Sequence, residues 1–79
     1  MKIVLTGKMT QTRDEMFKNF DRCGIIVMKA VSGKVDYLVT GERPGSNKIY
    51  LARQYTNVQI VTEEHFNIIL ERDYPEYLL

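Results

Sequence analysis

With 79 residues the chain is long enough for one domain, and a chain of that size buries only about 60% of the surface its unfolded form exposes, so the core must be small. A hydrophobic fraction of 44% and a charged fraction of 27% exclude a disordered or low-complexity chain. The formal charge of +1 excludes a broad electrostatic grip on nucleic acid, so any binding of phosphate has to come from a few well-placed groups.

KIVLT (2–6) is a short apolar run closed by Gly7, the pattern of a buried strand. The stretch that follows holds Thr12 and Glu15 at capping-box spacing. Met16, Phe20 and Cys23, with Phe17 beside them, then form a stripe that predicts a core-facing helix stopped by Gly24. IIVM (25–28) predicts a second strand, KAVSGKV (29–35) a loop, and DYLVT (36–40) a third strand. GERPGSN (41–47) is a loop by its two glycines and proline. Ser46 is placed to cap a helix over about 47–55, with Ile49, Tyr50, Leu51, Ala52 and Tyr55 as its apolar residues. VQIV (58–61) predicts a fourth strand, and Thr62 caps a third helix whose buried face is Phe66, Ile69 and Leu70. Glu63 and Glu64 fall in that helix's first turn, where its dipole favours them. RDYPEYLL (72–79) reads as a C-terminal tail, with Pro75 preventing a simple continuation of the helix.

The order βαββαβα, with short apolar strands, predicts a single α/β domain over 1–79 (core 2–71, tail 72–79): a mostly parallel sheet between helical layers, a three-layer sandwich. Cys23 is the only cysteine, so no disulfide forms within the chain and a reducing compartment is expected. No segment approaches the roughly eighteen consecutive apolar residues of a membrane span, and MKIVLTGKM lacks a signal peptide's apolar stretch. A soluble, cytoplasmic protein without a membrane partner is expected.

Taken together, VLTG (4–7), RDE (13–15), Gly24, SGKVDYLVTG (32–41), PGSNK (44–48) and VTEEHF (61–66) resemble a BRCT domain over about residues 2–71. The resemblance is strongest to the BRCT domains of bacterial NAD-dependent DNA ligases and of the clamp-loader large subunit, replication factor C. It implies a four-stranded parallel sheet in the order 2-1-3-4, with the first and third helices on one face and the second on the other. The chain departs from the family pattern in carrying Gly24-Ile25 for a Gly-Gly pair and Phe66 where many members have Trp. Its stretch between Gly7 and Arg13 is also one residue shorter than usual.

In phosphate-binding members the resemblance places the anion just past the first strand, on positions that here are Thr6, Gly7 and Lys48. Similarity to the clamp-loader domain, which recognises a 5′-phosphate at a DNA end, adds Arg13. The chemistry suits such a ligand, since a hydroxyl, an unhindered amide, a point charge and a planar guanidinium make a convergent cradle for a small dianion. Each group also has a plainer reading. Thr6-Gly7 can simply turn the chain, Lys48 can be a solvated helix residue, and Arg13 can pair with Asp14 or Glu42. Lys8, Lys34 and Arg43 either lie on the rim, against neighbouring DNA phosphates, or are solvated surface charges.

Other signals carry less. GERPGSNK lacks the adjacent Gly-Lys and the following Ser/Thr of a nucleotide-binding P-loop. Cys23 lies on an apolar stripe, and one Cys with one His (His65) makes no ordinary zinc site. The tyrosines could stack on bases, but most are placed for packing, and Tyr74 and Tyr77 either stand exposed or fold back on the sheet. No catalytic constellation, metal site or cofactor is expected. The leading expectation is a non-catalytic module that binds DNA at a 5′-phosphorylated end or nick, in replication or repair. The alternative is a protein-interaction module that binds a phosphopeptide, a replication or repair protein, or a second BRCT domain, including another copy of itself.

Overall fold

The computed structural model describes residues 1–78; Leu79, at the end of the expected tail, lies outside them. Four strands and three helices alternate as β1 (Lys2–Thr6), α1 (Arg13–Arg22), β2 (Ile26–Val27), β3 (Tyr37–Thr40), α2 (Ser46–Arg53), β4 (Gln59–Thr62) and α3 (Glu63–Asp73), before a 3-10 turn over Pro75–Leu78. The strands form one sheet in the order β2-β1-β3-β4, every pair parallel. This is the α/β sandwich and the strand order that the BRCT resemblance implied.

Successive strand residues point to opposite faces, and both faces are covered. On one, Ile3, Leu5, Val39 and Val61 pack with Met16 and Phe20 of α1, Phe66, Ile69 and Leu70 of α3, and Tyr77. On the other, Val4 and Leu38 pack with Ala52 of α2, with Val35 and with Val58. Two helices thus seal the first face, while a single eight-residue helix covers the second. The edge residues Ile26 and Ile60 are left exposed, as are Tyr50 and Leu51 on α2 and Tyr55, which lies beyond the helix because α2 stops at Arg53, short of the expected 55.

The element boundaries differ from expectation where hydrogen bonding outweighs hydrophobic pattern. Ile25 belongs to the stop of α1 and not to β2. Gly24 takes φ +75°, its N–H donates to Asp21 O at 3.1 Å, and Ile25 N–H donates to Phe20 O at 2.8 Å. That is the Schellman closure of a helix. It turns the Ile25 side chain into the core, where it is 3% exposed, so the departure from a Gly-Gly pair is accommodated by burial. Ser46 begins α2 instead of capping it; the N-cap is Gly45, with no side-chain cap. Arg72 and Asp73 continue α3, and the segment through Tyr77 folds back. Tyr77 is 5% exposed and stacks on Phe20 with ring centroids 5.1 Å apart. Arg22 donates to the Glu76 and Tyr77 carbonyls at 3.1 and 3.3 Å.

Because every strand runs the same way, the ends of β1, β2, β3 and β4 lie together at one end of the sheet. The segments leaving those strands, and the first turns of all three helices, meet there. Parallel α/β sheets generally bind ligands at that end.

Candidate functional site

At the carboxyl end of the sheet the segment after β1 is zipped to the segment after β3. Gly41 N–H donates to Thr6 O, while Lys8 and Glu42 exchange a pair of N–H···O bonds, each at 2.8 Å. Gly7 is required at this junction on two counts. Its φ is +86°, and a Cβ there would stand 2.6 Å from Glu42 O and 3.1 Å from the Pro44 Cα. The Thr6–Gly7 peptide is trans, so with its carbonyl engaged by Gly41 its N–H points the other way, towards β2. β2 has already ended at that level.

Arg13 and Lys48 are brought together. Both line a cavity of about 320 Å³ whose other walls are Leu5, Phe17, Val27, Met28 and Lys29. Arg13 is the first residue of α1 and donates to Gly7 O at 3.3 Å. Lys48 stands in the first turn of α2. Neither pairs with a carboxylate: among the described residues the only ion pair is Arg72–Asp73, on the surface at the far end of α3. The sequence alternative that paired Arg13 with Asp14 or Glu42 is therefore not adopted.

Thr6 is placed differently from expectation. The residue is 4% exposed, and its Oγ1 accepts the N–H of Gly45 at 2.8 Å. It is not among the residues lining the cavity. Its hydroxyl ties the N-cap of α2 to the end of β1, which fixes where Lys48, three residues further on, emerges.

The expected rim residues divide. Lys8 and Arg43 stand together beside Glu42 around a separate hollow of about 430 Å³. Lys34 is not at this end at all. It precedes β3, where Asp36 N–H donates to Lys2 O at the start of β1, so the sheet separates it from Thr6.

Two residues that sequence reasoning passed over belong here. Lys29 joins Arg13 and Lys48 as the third cation on the cavity. Its signal was position alone: in the order β2-β1-β3-β4, the residues leaving β2 must lie beside those leaving β1. Glu63, beyond complementing the helix dipole, accepts with its carboxylate from Thr10 N–H at 3.1 Å and from the Thr10 hydroxyl at 2.9 Å. It pins the middle of the segment between Gly7 and Arg13 to the start of α3. Nothing in the sequence marks that contact, made across 53 positions of the chain.

No family model matches the chain. It is similar to a short stretch of DNA ligases. Over 65 residues it is 43% identical to a DNA ligase of Ruthia magnifica subsp. Calyptogena magnifica, covering 82% of this chain and 10% of the ligase. Over 62 residues it is 47% identical to a DNA ligase of Psychromonas ingrahamii, covering 77% and 9%. A DNA ligase of Desulfatibacillum aliphaticivorans is 39% identical over 70 residues, covering 87% and 11%. The chain thus spans about a tenth of the length of these relatives. Among the described residues, no helix is long and apolar enough to cross a membrane.

Proposed function

We propose that the chain is a non-catalytic BRCT module that binds DNA at a 5′-phosphorylated end or nick, within or beside the machinery of replication or repair. One observation carries this reading: Arg13 and Lys48, far apart in the chain, line one cavity without a carboxylate to neutralise either. Arg13 supplies a planar donor fork and Lys48 a point charge, and Lys29 raises the local positive potential. Gly7 does not line that cavity but a neighbouring hollow that Arg13 shares, and its carbonyl accepts from the guanidinium; Thr6 braces the arrangement through Gly45. The amino ends of α1 and α2 add partial positive charge. Similarity to a segment of DNA ligases supports DNA as the source of the phosphate.

The test is fluorescence anisotropy on hairpin DNA bearing either a 5′-phosphate or a 5′-hydroxyl. The phosphorylated end should bind more tightly. Arg13→Ala and Lys48→Ala should each weaken that binding about tenfold, the scale of one lost charge-assisted hydrogen bond, while leaving the 5′-hydroxyl affinity unchanged. Equal affinity for the two ends would remove the reading.

A second reading rests on a different observation. Tyr50 and Leu51 of α2, and Tyr55 just beyond it, are exposed, with Tyr50 at 64%, an apolar surface suited to a protein partner or a second copy. Concentration-dependent sedimentation that is abolished by Tyr50→Glu and indifferent to phosphate would favour it.

A further inference from the structure

We propose that the cavity beside Arg13 is a nucleoside pocket: it takes the unpaired 5′-terminal nucleotide whole, with the base stacked on Phe17 and the phosphate on the cations. This rests on the 5′-phosphate reading and specifies its ligand. A phosphate group fills only a small part of about 320 Å³, a volume at the lower end of the roughly 300–1,000 Å³ of small-molecule sites. The cavity lining divides into four apolar residues, Leu5, Phe17, Val27 and Met28, and three cations, Arg13, Lys29 and Lys48. A nucleotide has the same division, an anionic group joined to a flat, weakly polar ring.

Phe17 is the residue that needs explaining. The helical stripe points Met16 and Phe20 into the core, but Phe17 stands about 100° round α1 from Met16 and about 60° from Phe20, and is 41% exposed. Its place is four residues after Arg13, on the same face of the helix. A base lying on the Phe17 ring would therefore leave its 5′-phosphate one helical turn away, beside the guanidinium. Met28, unbranched and polarisable, can adapt to different bases. Stacking favours no particular base, because every base has a π-face, so the pocket discriminates nucleotide from bare phosphate but not sequence. A base-paired terminus would have to open first; an unpaired terminal nucleotide would not.

Three hairpins with one unpaired 5′-terminal unit decide the matter: a 5′-phosphorylated nucleotide, a 5′-phosphorylated abasic deoxyribose and a 5′-hydroxyl nucleotide. The wild-type chain should bind them in that order. Phe17→Ala should lower affinity for the first about tenfold, the scale of one lost base stack, and leave the second unchanged. Phe17→Leu, which keeps apolar bulk without a π-face, should behave like Phe17→Ala, and Phe17→Trp should retain binding. If the abasic and nucleotide ends bind equally while both exceed the hydroxyl end, the nucleoside pocket is wrong and the phosphate site stands. If phosphate makes no difference, both fall. A Phe17→Ala loss equal on both phosphorylated ends also overturns the pocket, since it would report a disturbed helix and not a lost stack.

Discussion

A single oxygen, Thr6 Oγ1, joins the end of β1 to the start of α2. Losing it would leave the Gly45 N–H without its partner next to a buried residue, at a cost of about 1–2 kcal/mol. It would also free the first turn that carries Lys48. Thr6→Val should therefore lower both the denaturant midpoint and the affinity for 5′-phosphorylated DNA, whereas Thr6→Ser, which keeps the acceptor, should preserve both. A valine variant of full affinity would mean that Thr6 does not brace the site. Tyr77 governs a different property. Burial against Phe20 pushes its phenol above the ordinary value of 10.0. Its proton is then held more tightly in the folded chain than in the unfolded one. That stabilisation is fully present below about pH 10 and is lost as pH rises beyond the unfolded value, because only the unfolded state can ionise there freely. Urea midpoints should fall above about pH 10 in the wild type and fall less steeply in Tyr77→Phe.

At the scale of elements, what the sequence made legible was whatever rests on local chemistry. The four apolar runs became strands because a parallel sheet covered on both faces needs them apolar throughout. Thr12 and Thr62 cap α1 and α3, accepting from Glu15 N–H and His65 N–H. Contacts across the fold were not legible. Ile25 looked like strand but closes a helix, Ser46 looked like a cap whose role falls to Gly45 and Thr6, and Phe17 looked like core because it adjoins the stripe. The register of the BRCT resemblance marks Arg13 and Lys48, whereas Lys29 joins them only because β2 ends beside β1. Glu63 shows the same gap between local and distant chemistry. Its carboxylate holds Thr10 by backbone and hydroxyl together, which should keep the whole segment from Gly7 to Arg13 in one conformation. Glu63→Ala is expected to cost about 1–2 kcal/mol of stability and to speed hydrogen exchange at the Thr10 amide. It should also weaken 5′-phosphate binding without touching the ligand. Unchanged exchange at Thr10 would show that the segment is held by other contacts.

Across the whole molecule, charge is divided over the carboxyl end of the sheet. Above β1 and β2 stand Arg13, Lys29 and Lys48. Above β3 and β4 a hollow of about 580 Å³ is lined by Glu42, Glu63 and Glu64, with Lys8 as its only cation. With a formal charge of +1, the molecule has no excess of cations with which to offset that acidic half. A duplex laid across the whole end would gain phosphate contacts on one side and meet repulsion on the other, so the favourable geometry is a DNA terminus approaching from the β2 side. This has a thermodynamic signature. Each duplex phosphate neutralised contributes roughly −0.9 to the slope of log affinity against log salt, so a site of three cations should give a slope of about −2 to −3. Titrations of the 5′-phosphorylated hairpin at several salt concentrations measure it directly. Lys29→Ala should make the slope shallower by about one unit, whereas Lys34→Ala, at the other end of the sheet, should leave it unchanged. A wild-type slope steeper than about −5, or one that responds to Lys34, would place the DNA on a broader path than these three cations provide.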